Sequence, residues 1–237
     1  MKFGIVTFPA SNCDYDAYHA VTEILGEEAV YLWHKDHDLQ GADVIILPGG
    51  FSYGDYLRAG AIARFSPIMR EVVEHARRGA PVLGICNGFQ ILCEAHLLPG
   101  VLLRNASLRF ASQWVHLRVE NADTLFTNAY EKGQLIRVPV AHGDGRYTAD
   151  ADTLKSIEGR GQVAFRYVDR HGNPLPDANP NGSLNDIAGI VNERGNVLGL
   201  MPHPERASEN AMGGTDGLLI FHSLLGSLVE DGSFLKR

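Results

Sequence analysis

Basic residues are in the minority. Lys and Arg number 21 against 28 Asp and Glu, a formal charge of −7 over 237 residues. No basic patch stands out, which excludes a nucleic-acid surface as the working expectation, because phosphate binding needs clustered positive charge. Pairs such as Arg77-Arg78 read as the solvated end of a helix. Cysteine is scarce as well. Cys13, Cys86 and Cys93 are too few and too scattered for a disulfide framework, and no Cys-x-x-Cys pair or Cys/His cluster suggests a metal. Together they point to a reducing cytoplasm. No stretch approaches the ~20 apolar residues of a membrane span, so no membrane association is expected. The opening residues Met1 to Val6 read as a strand that begins at once, without a signal peptide. Internal repeats, low-complexity tracts and a Gly-x-x-x-x-Gly-Lys-Ser/Thr loop are also missing.

What is present suits a sizeable core, with 45% hydrophobic residues, and a single domain over 1–237 is expected. Apolar β-rich runs alternate with helical segments in the first half. Phe3–Phe8, Ala29–Trp33, Val44–Leu47 and Val82–Ile85 read as strands, while Asp14–Leu25 and Pro67–Arg78 read as helices, the second with Ser66 as its cap and proline at its first position. That alternation predicts an α/β fold, a mixed, mostly parallel sheet with helices on both faces. The second half carries short strand-like runs at 101–103, 114–119, 135–140, 162–167, 187–191 and 197–201, separated by turn-rich segments. They suggest an antiparallel extension of the same core, closed by a helix over Thr215–Val229.

The chemistry concentrates in three places. Gly84-Ile85-Cys86-Asn87-Gly88 lies between the strand ending at Ile85 and an apolar segment of helical period, Phe89 to Leu98. A tight strand-to-helix bend lifts a nucleophile clear of the sheet, and flanking glycines let backbone pack where a Cβ would clash. The following helix favours thiolate through its unpaired N–H groups. Taken alone, the pentapeptide fits a buried core cysteine equally well. The base that a Cys86 nucleophile requires is found in Met201-Pro202-His203-Pro204-Glu205. Residues two apart on extended backbone face the same side, so Glu205 orients an imidazole that ionises the thiol; the other reading is a surface His-Pro-Glu turn. A developing oxyanion needs two N–H donors. The N–H of Asn87 is one, and Pro48-Gly49-Gly50-Phe51, after a neighbouring strand, offers the other at Gly50. Of ten histidines, only His142 joins His203 in a chemical context.

Gly-Gly loop, cysteine elbow and His-Pro-Glu, in that order, resemble the class I (triad) glutamine amidotransferases. The likeness covers nearly the whole chain. It includes Phe8–Asp14, the run Leu47–Gly60 containing Gly-Gly-Phe-Ser-Tyr-Gly-Asp, the elbow through Gln90, Pro139–Gly145 with Ala-His-Gly-Asp-Gly, and Gly199–Arg206. The two longer runs are specific to the branch that serves purine biosynthesis. The resemblance implies a flavodoxin-like sheet with a nucleophile elbow. Cys86 would attack the glutamine side-chain amide, with His203 as base and then acid and Glu205 as its orienter. Backbone N–H groups of Gly50 and Asn87 would form the oxyanion hole. Phe51, Gln90, His142 and Gly143 would hold the glutamine, the His142-Gly143 segment through its backbone. Asp144 stands where this branch more often has glutamate and receives no contact. Cys13 and Cys93 are read as structural. No metal or cofactor is implied in this chain: ATP and Mg²⁺ would belong to a large synthetase subunit, with a small accessory subunit completing the complex. Three alternatives stay open at the level of sequence. One is a glutaminase feeding a GMP, CTP or anthranilate synthetase; the others are a peptidase or DJ-1-like cysteine hydrolase and a non-catalytic module.

Overall fold

A computed structural model describes residues 1–230. Strand β1 (Lys2–Thr7) leads into helix α1 (Asp14–His19), which continues through a π-helical turn at Ala20–Ile24, and then into β2 (Glu28–Trp33). Strand β3 (Val44–Leu47), helix α2 (Pro67–Arg77), β4 (Val82–Ile85) and α3 (Asn87–Glu94) follow. The second half comprises β5 (Val101–Leu103), β6 (Ala111–Val119), β7 (Leu135–His142), β8 (Arg146–Thr148), α4 (Ala151–Gly159), β9 (Val163–Val168), β10 (Ile187–Val191), β11 (Val197–Leu200) and α5 (Leu218–Glu230).

Nine strands form one sheet in the order β2-β1-β3-β4-β11-β10-β9-β6-β7, while β5 and β8 make a separate two-stranded ribbon. From β2 to β11 neighbours run parallel; from β11 to β7 every pairing is antiparallel. The sheet is therefore mixed, as expected. Crossovers between parallel strands are right-handed. The β1-to-β2 step moves one way across the sheet and β3-to-β4 the other, so α1 and α2 cover opposite faces. Strands β3, β4, β10 and β11 are buried at every residue, which is what the continuous apolar runs Val44–Leu47 and Val82–Ile85 require of a sheet covered on both sides. Strand β7 alternates exposed or half-buried with buried residues, so one face of the antiparallel wing meets water. Most of the buried apolar side chains form one cluster running from Phe3 to Leu224.

Several boundaries differ from expectation, each for a local reason. Helix α3 ends at Glu94 instead of reaching Leu98, because His96 takes a left-handed φ of 58°, which a helix does not accommodate. Helix α5 begins at Leu218, not Thr215: Leu218 N–H closes a turn on the Thr215 carbonyl, and Gly217 N–H is held by Ala207. Ser66 does occupy the position before α2, but its hydroxyl makes no cap bond and pairs with the Tyr53 hydroxyl at 2.9 Å. Helix α4 went unread in the sequence. Asp150 starts it by accepting the Thr153 N–H at 2.8 Å, a short polar signal without an apolar run of helical period.

Candidate active site

Cys86 is the single residue between β4 and α3, and its backbone is strained, at φ 50° and ψ −103°. A non-glycine residue holds such angles only where its surroundings enforce them. Here the Cys86 N–H donates to the Leu200 carbonyl at 2.8 Å, and the Cys86 carbonyl accepts from Gln90 N–H at 3.2 Å. The flanking glycines fill the role expected of them. A Cβ on Gly88 would run into the Leu47 carbonyl, and one on Gly84 into the Leu92 side chain. The elbow thus presses directly against β3 and the underside of its own helix.

Sheet register explains why His203 arrives beside it. Strands β4 and β11 are parallel neighbours with Ile85 opposite Leu200, so the chain leaves both at the same level, at the carboxyl ends where open α/β sheets gather their ligands. His203 N–H is then fixed by the Pro139 carbonyl of β7 at 2.8 Å. Glu205 does not extend the strand as the proline pattern suggested. Pro204 instead opens a 3₁₀ turn, Pro204–Ala207, for which its fixed φ is suited, and the carboxylate reaches back to the ring. His203 Nδ1–H donates to Glu205 Oε1 at 2.6 Å, with the two side chains 1% and 0% exposed. Among the described residues His203 Nε2 completes no hydrogen bond, and Cys86 is the group that acts on the ring alongside Glu205. Burial disfavours the imidazolium, but the charges of Glu205 and Cys86, with the Glu205 hydrogen bond, carry His203 up to about 10. Thiol, imidazole and carboxylate are therefore brought together. The Cys86 thiol also faces the Ala141 carbonyl of β7 at 3.7 Å.

The Gly-Gly loop packs against the imidazole. A Cβ at Gly49 would stand 2.7 Å from His203 Cε1, so glycine there makes room for the ring. Gly50 has a φ of 134°, outside the range that L side chains adopt. Its neighbour Phe51 donates to the Ala10 carbonyl at 3.2 Å, and Tyr53 to Pro9 at 2.7 Å. Among the described residues, no hydrogen bond from the Gly50 N–H accompanies these. A cavity of about 210 Å³ lies between Gly50, Phe51, Phe110, Ala141, His203 and Arg206, with Asn12 and Cys13 completing its wall. Phe51 and Phe110, 43% and 54% exposed, stand at its rim with ring centres 6.5 Å apart. A larger cleft of about 380 Å³ between the end of α3 and α4 is lined by His96, Pro99, Thr153 and Glu193, among others, and includes none of the triad.

The remaining expected residues fall in different places. Gln90 is buried, one helical turn past Cys86; its Oε1 accepts from Asn87 Nδ2 at 2.8 Å and its Nε2 donates to the Asp144 carbonyl at 2.6 Å. Asp144 thus enters through its backbone, a contact the sequence reading did not assign. The His142 ring is committed to the core: Nδ1–H donates to Asn105 Oδ1 at 3.2 Å and Nε2 accepts from Asn181 at 3.4 Å. Burial, then the charge of His203, lowers its pKa to about 4, so this imidazole stays neutral. Gly143 gives its carbonyl to Asn105 N–H at 2.9 Å.

Sequence reasoning missed Cys13 and Arg206 as neighbours of the triad. Cys13 Sγ, a His203 nitrogen and a Glu205 oxygen lie within 4.8 Å of one another. Arg206 contacts Cys13 Sγ at 3.0 Å and Asp16 Oδ2 at 2.9 Å, tying α1 to the triad's turn. Burial and the Glu205 charge push the Cys13 thiol well up, against the opposing pull of Arg206, so it stays protonated beside the carboxylate. The available signal was sheet order: β1 and β3 are adjacent, so the segments following Thr7 and Leu47 must meet. Cys93 is buried in α3 with its thiol on the Pro99 carbonyl at 3.8 Å, a structural place as expected.

A cysteine on a strained strand-to-helix elbow, with a buried His-Glu pair just beyond the adjacent parallel strand, is the arrangement of the elbow-type thiol hydrolases and amidotransferases of α/β fold. Comparison with known proteins narrows this. Residues 1–214 match the model of the CobB/CobQ-like glutamine amidotransferase domain. The phosphoribosylformylglycinamidine synthase subunit PurQ of Chlorobaculum tepidum is 61% identical over 225 residues, 95% of this chain and 96% of that one. The PurQ subunit of Salinibacter ruber is 60% identical over 224 residues, 94% and 95% of the two chains. The chain belongs to this glutamine amidotransferase family, in the branch of the PurQ subunits. Among solved structures, a chain of PurLQS from Thermotoga maritima superposes with a TM-score of 0.85 at 50% identity, covering 96% of this chain and 98% of that one. Another T. maritima glutamine amidotransferase has a TM-score of 0.60 at 16% identity, over 97% and 98% of the two chains, which speaks to the fold alone.

Proposed function

We propose that this chain is a single-domain glutaminase that hydrolyses L-glutamine to L-glutamate and ammonia, as one subunit of a phosphoribosylformylglycinamidine synthase. The observation that carries the reading is the strained Cys86 elbow beside the buried His203–Glu205 pair in a chain 61% identical to a PurQ subunit. With His203 carried up to about 10, the Cys86 proton already rests on His203 Nε2, and Sγ attacks the carboxamide carbon. Gly50 and Asn87 N–H groups take the negative charge that develops on the amide oxygen. As the C–N bond breaks, His203 returns the proton to the departing nitrogen, which leaves as ammonia, and a γ-glutamyl thioester remains on Cys86. Water then attacks the thioester carbon and gives a proton to His203. The C–S bond breaks, and glutamate and the free thiol are restored. Glu205 holds the Nδ1–H tautomer throughout. Phe51, Gln90 and the His142-Gly143 backbone hold the glutamine. Because His203 is carried up to about 10, the alkaline limb of the rate profile is expected near that value.

Ammonia passes to a large synthetase subunit, which converts formylglycinamide ribonucleotide to formylglycinamidine ribonucleotide with ATP; a small accessory subunit completes the assembly. This chain uses no cofactor or metal of its own, and ATP and Mg²⁺ reside in the synthetase. Among the described residues no helix is long and apolar enough to cross a membrane, and the proposed compartment is the cytoplasm. Glutaminase turnover measured with and without the synthetase, its nucleotide substrate and ATP tests the assignment. Strong stimulation by that set is expected. Stimulation instead by a xanthosine monophosphate-dependent synthetase would reassign the pathway and leave the chemistry intact.

A further inference from the structure

The loop that carries Gly50 is strained beyond Gly50 itself. Tyr53, Gly54, Asp55 and Leu57 all have left-handed φ values, 56°, 71°, 54° and 70°. Three of these are not glycine, and such backbone persists only where contacts over-determine it. Tyr53 is pinned from outside the site, its hydroxyl on Ser66 at 2.9 Å and on His34 Nδ1 at 2.7 Å. One side-chain tie comes from the nucleophile's own helix. Asn87, 1% exposed, accepts the Ser52 N–H on Oδ1 at 3.2 Å. A backbone N–H is an unambiguous donor, so it fixes which end of the amide faces the loop. The other end, Nδ2, donates to Gln90 Oε1 at 2.8 Å and approaches Asp55 Oδ1 at 3.4 Å.

We infer that the Asn87 side chain is a positioning residue of the glutaminase reaction, tying the loop that presents the Gly50 N–H to the helical turn that presents Gln90. The inference rests on the reading of Cys86 as nucleophile given above. Asn87 then acts twice. Its backbone N–H is one oxyanion donor, and its side chain sets the distance to the other through Ser52, two residues beyond Gly50. Its remaining hydrogens orient Gln90, whose own amide makes one bond at each end, to Asn87 and to the Asp144 carbonyl, and keeps one N–H and one oxygen lone pair for glutamine. A misplaced oxyanion donor lowers the chemical step, whereas a misplaced Gln90 weakens glutamine binding.

The test is a mutant cycle in the reconstituted complex with synthetase, nucleotide and ATP. Asn87→Ala is expected to lower kcat by roughly tenfold or more, as partial loss of an oxyanion donor would, and to raise KM for glutamine. In a Gln90→Ala background the same change should still lower kcat by that factor but no longer move KM. Ser52→Pro removes the donor at the first position of a short turn, where proline is tolerated. It should reproduce the kcat loss, leave KM near its parent value and add nothing to Asn87→Ala. Alkylation of Cys86 by iodoacetamide needs no oxyanion hole, so its rate should stay within about twofold in all these variants. The inference is overturned if kcat survives both Asn87→Ala and Ser52→Pro, or if alkylation falls in step with turnover, which marks a merely structural role. Cys86→Ala run alongside separates the two levels: glutamine turnover surviving in that variant would remove the nucleophile assignment itself.

Discussion

In the parallel half of the sheet, β3, β4 and β11 are buried along their whole length. In the antiparallel wing, β7 alternates buried residues with exposed or half-buried ones from Leu135 to His142. The two halves contribute to the site in different currencies. The parallel half supplies side chains and the backbone N–H groups proposed for the oxyanion: Cys86 after β4, Gly50 after β3, His203 and Glu205 after β11. The wing supplies carbonyls, Pro139 to the His203 N–H and Ala141 facing the Cys86 thiol, and Asp144 just beyond β7 accepts from Gln90. Close packing makes the first half sensitive to single atoms, because interiors of this density have no slack. A half-solvated hairpin that lends only backbone tolerates changes to its outward side chains.

The largest expected effect is on chemistry. Cys86→Ala should reduce glutamine-dependent turnover by about 10⁴-fold or more, with ammonia-dependent synthesis by the complex unchanged; steady-state assays with each nitrogen source check this. Next comes packing. Gly88→Ala drives a Cβ into the Leu47 carbonyl, and a loss of about 2–4 kcal/mol is expected from overpacking and backbone displacement, read from denaturant unfolding. A smaller effect distinguishes Asp55, at the edge of the parallel half. Burial, then the Asp144 charge, raises its carboxyl to about 6. A carboxyl raised in the folded state favours folding below its unfolded pKa, and that contribution is lost as pH rises through about 6. Asp55→Asn should therefore stabilise the protein at pH 8, by ~0.5–1 kcal/mol once solvent screening is allowed for, and leave it unchanged at pH 4; thermal melts at the two pH values decide. The smallest effect is in the wing. Arg137 lies over the Trp114 ring at 4.3 Å, and Arg137→Ala should cost under about 1 kcal/mol without altering glutamine turnover. A stability loss there comparable to that of Gly88→Ala, or a fall in glutamine turnover, would erase the contrast between the halves.

The same contrast governs how much could be read in advance. The strands at Val44–Leu47, Val82–Ile85, Ile187–Val191 and Val197–Leu200 were legible because fully buried strands read as unbroken apolar runs. The elbow was legible because its glycines answer to steric contacts that no other residue satisfies. Glu205 was assigned the right partner through the wrong backbone: the proline spacing suggested extension, and a 3₁₀ turn reached the same hydrogen bond. Cys13 and Arg206 were illegible as neighbours of the triad, since nothing local announces a contact between segments 193 residues apart. The His142 ring was equally hidden. Its commitment to Asn105 and Asn181 depends on loops whose packing has no periodic signature.

Two buried thiols, Cys86 and Cys13, both lie close to the His203–Glu205 pair, and only one sits on the elbow. Rapid quenching of the complex during glutamine turnover, followed by mass spectrometry of its peptides, distinguishes them. A γ-glutamyl adduct on Cys86, absent from Cys86→Ala, is the expected result. An adduct on Cys13, or undiminished turnover with no adduct on Cys86, would contradict it.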